Sequence, residues 1–255
     1  MVIEIHDLEQ LQTLPNTRPL VRFKDNYDMR WYSHPEDQQN PERWYASVTS
    51  VISIAVHERL KNYLSNTAPE VQKTRLEKSV VSGKMIHDSI QADLTGKPWV
   101  ASNALLVKVM GNWQALKTAH KITADQCEVS VYSPLWGFAG TIDVLGTYDG
   151  KPTILDIKTG FYNVKAGFQM GAYRAALSEL TKEERAMVGL GVKADGSDAK
   201  SFEYSHFDWC ILTFHSLFQS WKGMYYSRLS ARKWNYLHTT PLSLINFTFQ
   251  TEVEN

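Results

Sequence analysis

The sequence is short of cysteine, of net charge and of long apolar runs, and each shortage removes a class of protein. Only Cys127 and Cys210 occur among 255 residues, too few for a disulfide framework, a four-thiolate metal site or an iron–sulfur cluster. Lys plus Arg and Asp plus Glu each number 27, so no general basic coat covers the chain as it would in many nucleic-acid binders. A local basic groove beside an acidic site stays open, because long-range fields and local phosphate contacts are separate matters. No apolar run approaches a membrane span, and Met1–Gln10 leans acidic without a signal-peptide pattern. A reducing, cytoplasmic setting is the expectation. No repeat, low-complexity tract, flexible linker or Walker-type phosphate loop is present.

What is present is an ordinary globular composition, 43% hydrophobic and 21% charged, long enough for one large domain with appendages. Its most informative stretch is 140–173. Two apolar, β-branched runs, Thr141–Thr147 and Thr153–Lys158, flank Asp149-Gly150. That dipeptide predicts a β-hairpin, since both central residues of a type I′ turn need positive φ. Residues facing each other across such a hairpin have numbers summing to 299, which sets Asp143 opposite Asp156. Lys158, two residues on, shares the face of Asp156.

Ile142, Val144, Ile154, Leu155 and Ile157 make these strands apolar on both sides, as in a buried central pair. Opposed carboxylates there are costly unless something positive compensates, either a lysine or a divalent cation. The alternative is a solvated pair of strand ends with Lys158 in a surface ion pair. Pro152, next to the turn, is a place where a bulge would slip the register.

Elsewhere, residues 1–17 read as a polar lead-in, followed by short strands at Leu20–Asn26 and Met29–Ser33 and a polar loop. A helical pattern runs from about Trp44 to Leu64, with Ser47, Thr49 or Ser50 as its cap and phosphate binding as a second use for those hydroxyls. Pro69 opens a helix over Glu70–Leu94, on which Val80, Gly83, His87, Ile90 and Leu94 share one face. His87 is there either a satisfied core histidine or a metal ligand, with Gly83 letting a strand approach. A third helix covers Ala101 to about His120, and Gln126–Ser133 is a strand bearing Glu128, either an acidic site group or a solvated residue.

After the hairpin, Val164–Leu180 is helical, with Gln169 and Tyr173 on one face. Its Gly167 and Gly171 suit close packing on the sheet, while Lys165 and Arg174 are candidate phosphate contacts. A second hairpin at Ala186–Lys193 and Phe202–Phe207, a helix from Trp209 capped by Asp208, and a tail with one strand at Leu244–Gln250 complete the chain. The expected organisation is N-terminal strands and loop over 1–45, a core over 46–230 and a tail over 231–255.

Taken together, Gly83-x-x-x-His87, Gly140-Thr-Ile-Asp143, Asp156-Ile-Lys158 and Gln169-x-x-x-Tyr173 resemble the PD-(D/E)XK nuclease superfamily. Within it the chain looks like the RecB-like exonuclease branch, including stand-alone phage and mitochondrial DNA exonucleases, and Ser47-Val-Thr-Ser-Val51 is similar too. The resemblance spans roughly Tyr45 to Trp221. It implies an α/β (α+β) restriction-endonuclease-like core, a central mixed sheet flanked by helices. It also implies a metal site of His87, Asp143 and Asp156 with the Ile157 carbonyl nearby, and Lys158 as the catalytic lysine. Gln169 and Tyr173 would help to bind the DNA strand and brace the site, and Glu128 matches an acidic position of some members. The second acid is Asp, not Glu, and no Pro precedes the first. The missing cysteines argue against the iron–sulfur nucleases of CRISPR adaptation, and no helicase motor is fused.

The activity so implied is Mg²⁺- or Mn²⁺-dependent hydrolysis of DNA, at single strands or duplex ends. A structure-selective endonuclease or RNase of the same fold, or a non-catalytic nucleic-acid or protein-binding module, are the alternatives. A compact stand-alone chain would suit a phage, acting in its host's cytoplasm.

Overall fold

The computed structural model describes residues 5–25, 28–55, 68–160 and 163–230. Its elements run β1 (His6–Leu11), β2 (Leu20–Lys24), β3 (Arg30–Ser33), β4 (Tyr45–Ser47), α1 (Val48–Ser53), α2 (Pro69–Leu94) and α3 (Ala104–Ala119). There follow β5 (Thr123–Ser133), β6 (Phe138–Tyr148), β7 (Lys151–Lys158), α4 (Val164–Thr181), β8 (Ala186–Val192), β9 (Ala199–Glu203) and α5 (Phe207–Ser230). The strands make one mixed sheet in the order β1-β2-β3-β4-β6-β7-β8-β9, with β5 also on β6. It is the α/β architecture expected, a mixed sheet flanked by helices. Among the described residues no helix is long and apolar enough to cross a membrane.

The hairpin forms as its turn dictates. Asp149 and Gly150 have φ of 48° and 78°, and the pairs from Val144↔Leu155 to Tyr148↔Lys151 keep the predicted register. Pro152 does not disturb it, because the β7–β8 ladder, where its missing N–H would matter, starts at Thr153.

Strand β6 carries three neighbours on two edges. β5 pairs with it from Phe138 to Thr147. The opposite edge is divided: β4 holds Phe138 and Ala139 in parallel, and β7 takes over at Val144. Residues 140–143 therefore stand at a fork between two departing strands.

Two cores flank the sheet. Ile86 and Ile90 of α2 and Trp113 of α3 pack with Val144, Leu155 and Val188 in one. Phe23, Trp31, Met170, Phe214 and Trp221 pack with Val129 and Ile142 in the other. Burying each such side chain fully contributes roughly 1.5–3 kcal/mol.

Several local expectations change. The lead-in contains β1, whose polar, exposed residues read as loop because it lies on the sheet edge. Tyr45–Ser47 is a strand, and the helix begins only at Val48; residues 56–67, where it was to continue, lie outside the described residues. Asn103 caps α3 by accepting the Leu106 N–H at 2.8 Å, which moves its start past Ala101. Val80 is 61% exposed, since α2 projects beyond the core at that end. β9 comes earlier than expected, so Asp208 sits inside the first turn of α5 and is not its cap. A Cβ on Gly167 would meet the Tyr204 ring, whose backbone N–H bonds to Met187 of β8, and then Cys210, so this glycine packs on the sheet edge as expected and also admits α5; a Cβ on Gly171 would meet Cys210 of α5. The strand expected at Leu244–Gln250 lies outside the described residues.

Candidate active site

The fork gathers charge because three elements deliver polar side chains to it. Cys127↔Val144 and Val129↔Ile142 are paired, which leaves Glu128 facing Asp143 between them. Cys127 and Val144 belong to the α2/α3 core, while Val129 and Ile142 belong to the other. The two strands thus pass from one core to the other at Glu128 and Asp143, and neither carboxylate is drawn into an apolar layer. Glu128 adopts φ of 53°, a left-handed conformation that costs a non-glycine residue on the order of 1–3 kcal/mol and clusters at functional sites.

Helix α2 brings the third group. Ile86 and Ile90 anchor it, and a Cβ on Gly83 would lie 3.1 Å from Thr159 Oγ1, just past β7. That is the close approach the sequence anticipated for Gly83. His87 Nε2 then stands 3.5 Å from Asp143 Oδ2 and 3.6 Å from Glu128 Oε1. Asp143 Oδ2 also accepts the Ile157 N–H at 2.7 Å. On β7, Lys158 Nζ donates to Asp156 Oδ1 at 2.7 Å. Asp156 Oδ2 is buried with no hydrogen-bond partner among the described residues.

Contact with Asp143 raises the His87 pKa above the ordinary imidazole value; burial opposes this, and the charges of Asp143 and Glu128 add to it. Burial, then the Asp143 charge, raises Glu128. Burial also pushes Asp143 upward, but His87, Lys158 and the Ile157 N–H outweigh it and hold the carboxyl below its usual value. Asp156 goes the other way, to about 7, because burial and Asp143 outweigh Lys158. Burial works against the Lys158 ammonium, yet Asp156 and Asp143 raise its pKa.

Helix α4 closes one side. Gln169 Nε2 donates to Tyr173 Oη at 3.0 Å, both buried. A Cβ on Gly140 would come within 2.3 Å of Tyr173 Cε1, so only glycine fits between this ring and the fork. Burial, joined by Tyr32, Asp143 and Asp156, keeps the Tyr173 hydroxyl protonated well above its normal pKa. Ser47, paired with Ala139 at the β4 prong, has its hydroxyl 2.9 Å from that of Thr49, which also meets Arg30 Nη1 at 3.4 Å. Lys165, in the first turn of α4, forms no ion pair among the described residues, and burial lowers its pKa. Arg174 is engaged elsewhere, with Glu184 and over the Phe207 ring.

Glu128 is the residue the sequence left undecided. A usable signal exists in the loop Pro134–Gly137: if Ser133 faces Phe138, as it does, Glu128 must face Asp143. The residues fit a divalent cation. One ligand atom each from His87, Glu128 and Asp143 lies within 4.8 Å of the others; Asp156, expected in this set, is outside it, and its Oδ2 is a buried acceptor without a hydrogen-bond partner among the described residues. Carboxylate oxygens with one imidazole suit a hard or borderline divalent ion.

The site is thus a histidine–carboxylate cluster at the fork of a mixed sheet, with Asp156 and Lys158 on the adjoining strand. A sequence model of the PD-(D/E)XK nuclease superfamily matches residues 30–208, and the chain belongs to that superfamily. Its members act on nucleic acid and generally use divalent metals. Among solved structures, the chain is similar to a candidate exonuclease from Eubacterium rectale, with 10% identity and a TM-score of 0.44, covering 70% of this chain and 82% of that one. No curated protein matches.

Proposed function

We propose that this chain is an exodeoxyribonuclease of the RecB-like branch, hydrolysing phosphodiester bonds of single-stranded DNA or duplex ends with Mg²⁺ or Mn²⁺. The single observation that supports it most is the convergence of His87, Glu128 and Asp143 beside a buried Asp156 that keeps one oxygen free and holds Lys158. In this reading His87, Asp143 and Asp156 hold the metal, with Glu128 as an added acidic ligand and Ile157 fixing Asp143 through its N–H. A divalent ion there supplies charge neutralisation on phosphate and acidifies water. Asp156 aims the Lys158 ammonium, which stabilises negative charge developing at the reacting phosphoryl group. Gln169 and Tyr173 brace the fork, and Thr49 and Lys165 contact the DNA backbone; Ser47, expected to do so as well, is fully buried and instead holds the Thr49 hydroxyl. The catalytic unit is 46–230, to whose sheet the segment before it adds β1, β2 and β3.

Purified wild type is incubated with Mn²⁺ and linear or circular single-stranded DNA. The expected result is digestion of the linear form only; cutting of the circle would mark an endonuclease, and cleavage of RNA alone an RNase. Lys158→Ala should lose on the order of 10²–10³ in rate while keeping its fold. Undiminished cleavage by that variant would refute the assignment of the site.

A further inference from the structure

The first three strands do more than widen the sheet. β2 pairs antiparallel with β3 and β3 with β4, while β4 runs parallel to β6. The chain leaving β1 returns to β5, where the Ser130 N–H donates to the Gln12 carbonyl at 2.8 Å and Thr13 bridges Ser130. The strands β1-β2-β3-β4-β6-β5 therefore close into a ring. Leu20, Tyr32, Tyr132 and Ala139, from four of them, meet in one buried cluster inside it.

The same pairings fix which end of the ring each strand leads to. β2 and β6 run in one direction, and β5 runs against them. Side chains alternate, so Arg22 follows Leu20 on the inward face, and Asp143, with Glu128 opposite, follows Ala139 and Thr141. Arg22, Glu128 and Asp143 thus reach the same mouth of the ring. Burial raises the Glu128 pKa, and the charges of His87 and Arg22 oppose the rise, as proximity requires. Tyr32, paired with Arg22 and lying against its guanidinium, also acts on the Tyr173 hydroxyl.

Arg22 is half-buried. Its Nε donates to Glu9 Oε2 at 3.0 Å, and its Nη2 meets the same oxygen. The Glu9 side chain is 53% exposed, and an ion pair so open to water adds little stability. A guanidinium has five N–H donors in a planar fork, so Glu9 and Tyr32 leave donors for a further acceptor. Glu128 lies on β5 and Lys158 on β7, at opposite edges of β6. The two cations therefore stand on opposite sides of Asp143.

We propose that Arg22 holds a phosphate next to the scissile one, so that Lys158 and Arg22 grip the strand on either side of the metal cluster. The inference rests on the nuclease reading, which puts the scissile phosphate at Lys158. A nucleic-acid strand carries a further phosphate beside the bond being cut, and the arginine fork matches its oxygens bidentately. Backbone contacts of this kind fix the register of the strand without reading its sequence. Arg22 is thus a positioning residue, supplied by the N-terminal strands.

The test uses the full chain and a fluorescent single-stranded oligonucleotide, by anisotropy without divalent metal and by cleavage in Mn²⁺. Arg22→Gln should weaken binding and raise KM by roughly 10- to 150-fold, with a smaller change in kcat. It should also flatten the slope of log affinity against log salt by about 0.7. Arg22→Lys should keep the slope and lose only part of the affinity. Glu9→Gln breaks the same ion pair and should match wild type. Thermal melts identify which Arg22 variants are folded. Cleavage by wild type with unchanged KM in a folded Arg22 variant, or an equal loss in Glu9→Gln, would overturn the role of Arg22 and leave the nuclease reading standing. Arg22-dependent binding with no cleavage by wild type in Mn²⁺ would support the phosphate contact and overturn the nuclease reading.

Discussion

Asp25 and Asp156 are both almost sealed from solvent, at 1% and 2% exposure, but their oxygens are treated differently. Asp25 Oδ1 accepts the Met29 N–H at 3.0 Å. Its Oδ2 accepts Trp31 Nε1 at 3.0 Å and Tyr225 Oη at 2.7 Å, tying the β2–β3 turn to the final helix. Asp93 repeats the pattern between α2 and α3, with Trp113, Gln114 and Lys117 as donors. Among the described residues Asp156 has only Lys158 as a donor, and one oxygen goes without. A buried acceptor left unmade costs stability. A saturated carboxylate is what scaffold needs, and an under-saturated one in a charged cluster is what the proposed metal site calls for.

The sharpest way to break this contrast is to neutralise both aspartates. Asp156→Asn should reduce DNA cleavage in Mn²⁺ by at least about 10²-fold, with no fall in melting temperature, because a desolvated charge is removed. A melt that fell with the activity would make Asp156 scaffold too. Asp25→Ala should do the reverse, lowering unfolding free energy in urea by about 3 kcal/mol while the folded fraction cleaves at the wild-type rate.

Metal sharpens the contrast further. Mn²⁺ at 100 times its dissociation constant should stabilise wild type by about 2.7 kcal/mol, and EDTA should remove the gain. The shift should shrink in His87→Ala and Glu128→Ala and persist in Asp25→Ala; an equal shift in all three would place the ion elsewhere. The smallest effect concerns Asp93. Burial raises its pKa, but Lys117, Trp113 and Gln114 more than reverse this and hold it below the ordinary 3.8. A carboxyl whose folded pKa is depressed contributes stability above its unfolded pKa and loses it as pH falls through the folded one. The urea midpoint of wild type should thus drop more steeply below about pH 4 than that of Asp93→Asn.

Much of the β6–β7 hairpin was legible because its cause is local. Asp149-Gly150 admits one tight turn, and that turn carries the register from Tyr148↔Lys151 to Val144↔Leu155. His87 was legible as a core-side residue because Ile90 lies on the same helix face. Glu128 was ambiguous, since an acid in a strand reads equally as solvent-facing until its partner strand is known. Arg174 looked like a free cation on α4, and only the fold showed Glu184 and Phe207 beside it. β1 and β9 were misjudged or shifted because edge strands have little apolar pattern to define them.

The sequence by itself thus determined the hairpin, its left-handed turn and which residue types could meet a metal, since turn geometry and side-chain alternation act over a few residues. The tertiary structure decided that β4 and β7 divide one edge of β6, that β5 and β6 change cores at Glu128 and Asp143, and which carboxylates keep a free oxygen. Those outcomes depend on contacts between segments tens to hundreds of residues apart, and no local pattern encodes how many donors will reach a buried acid.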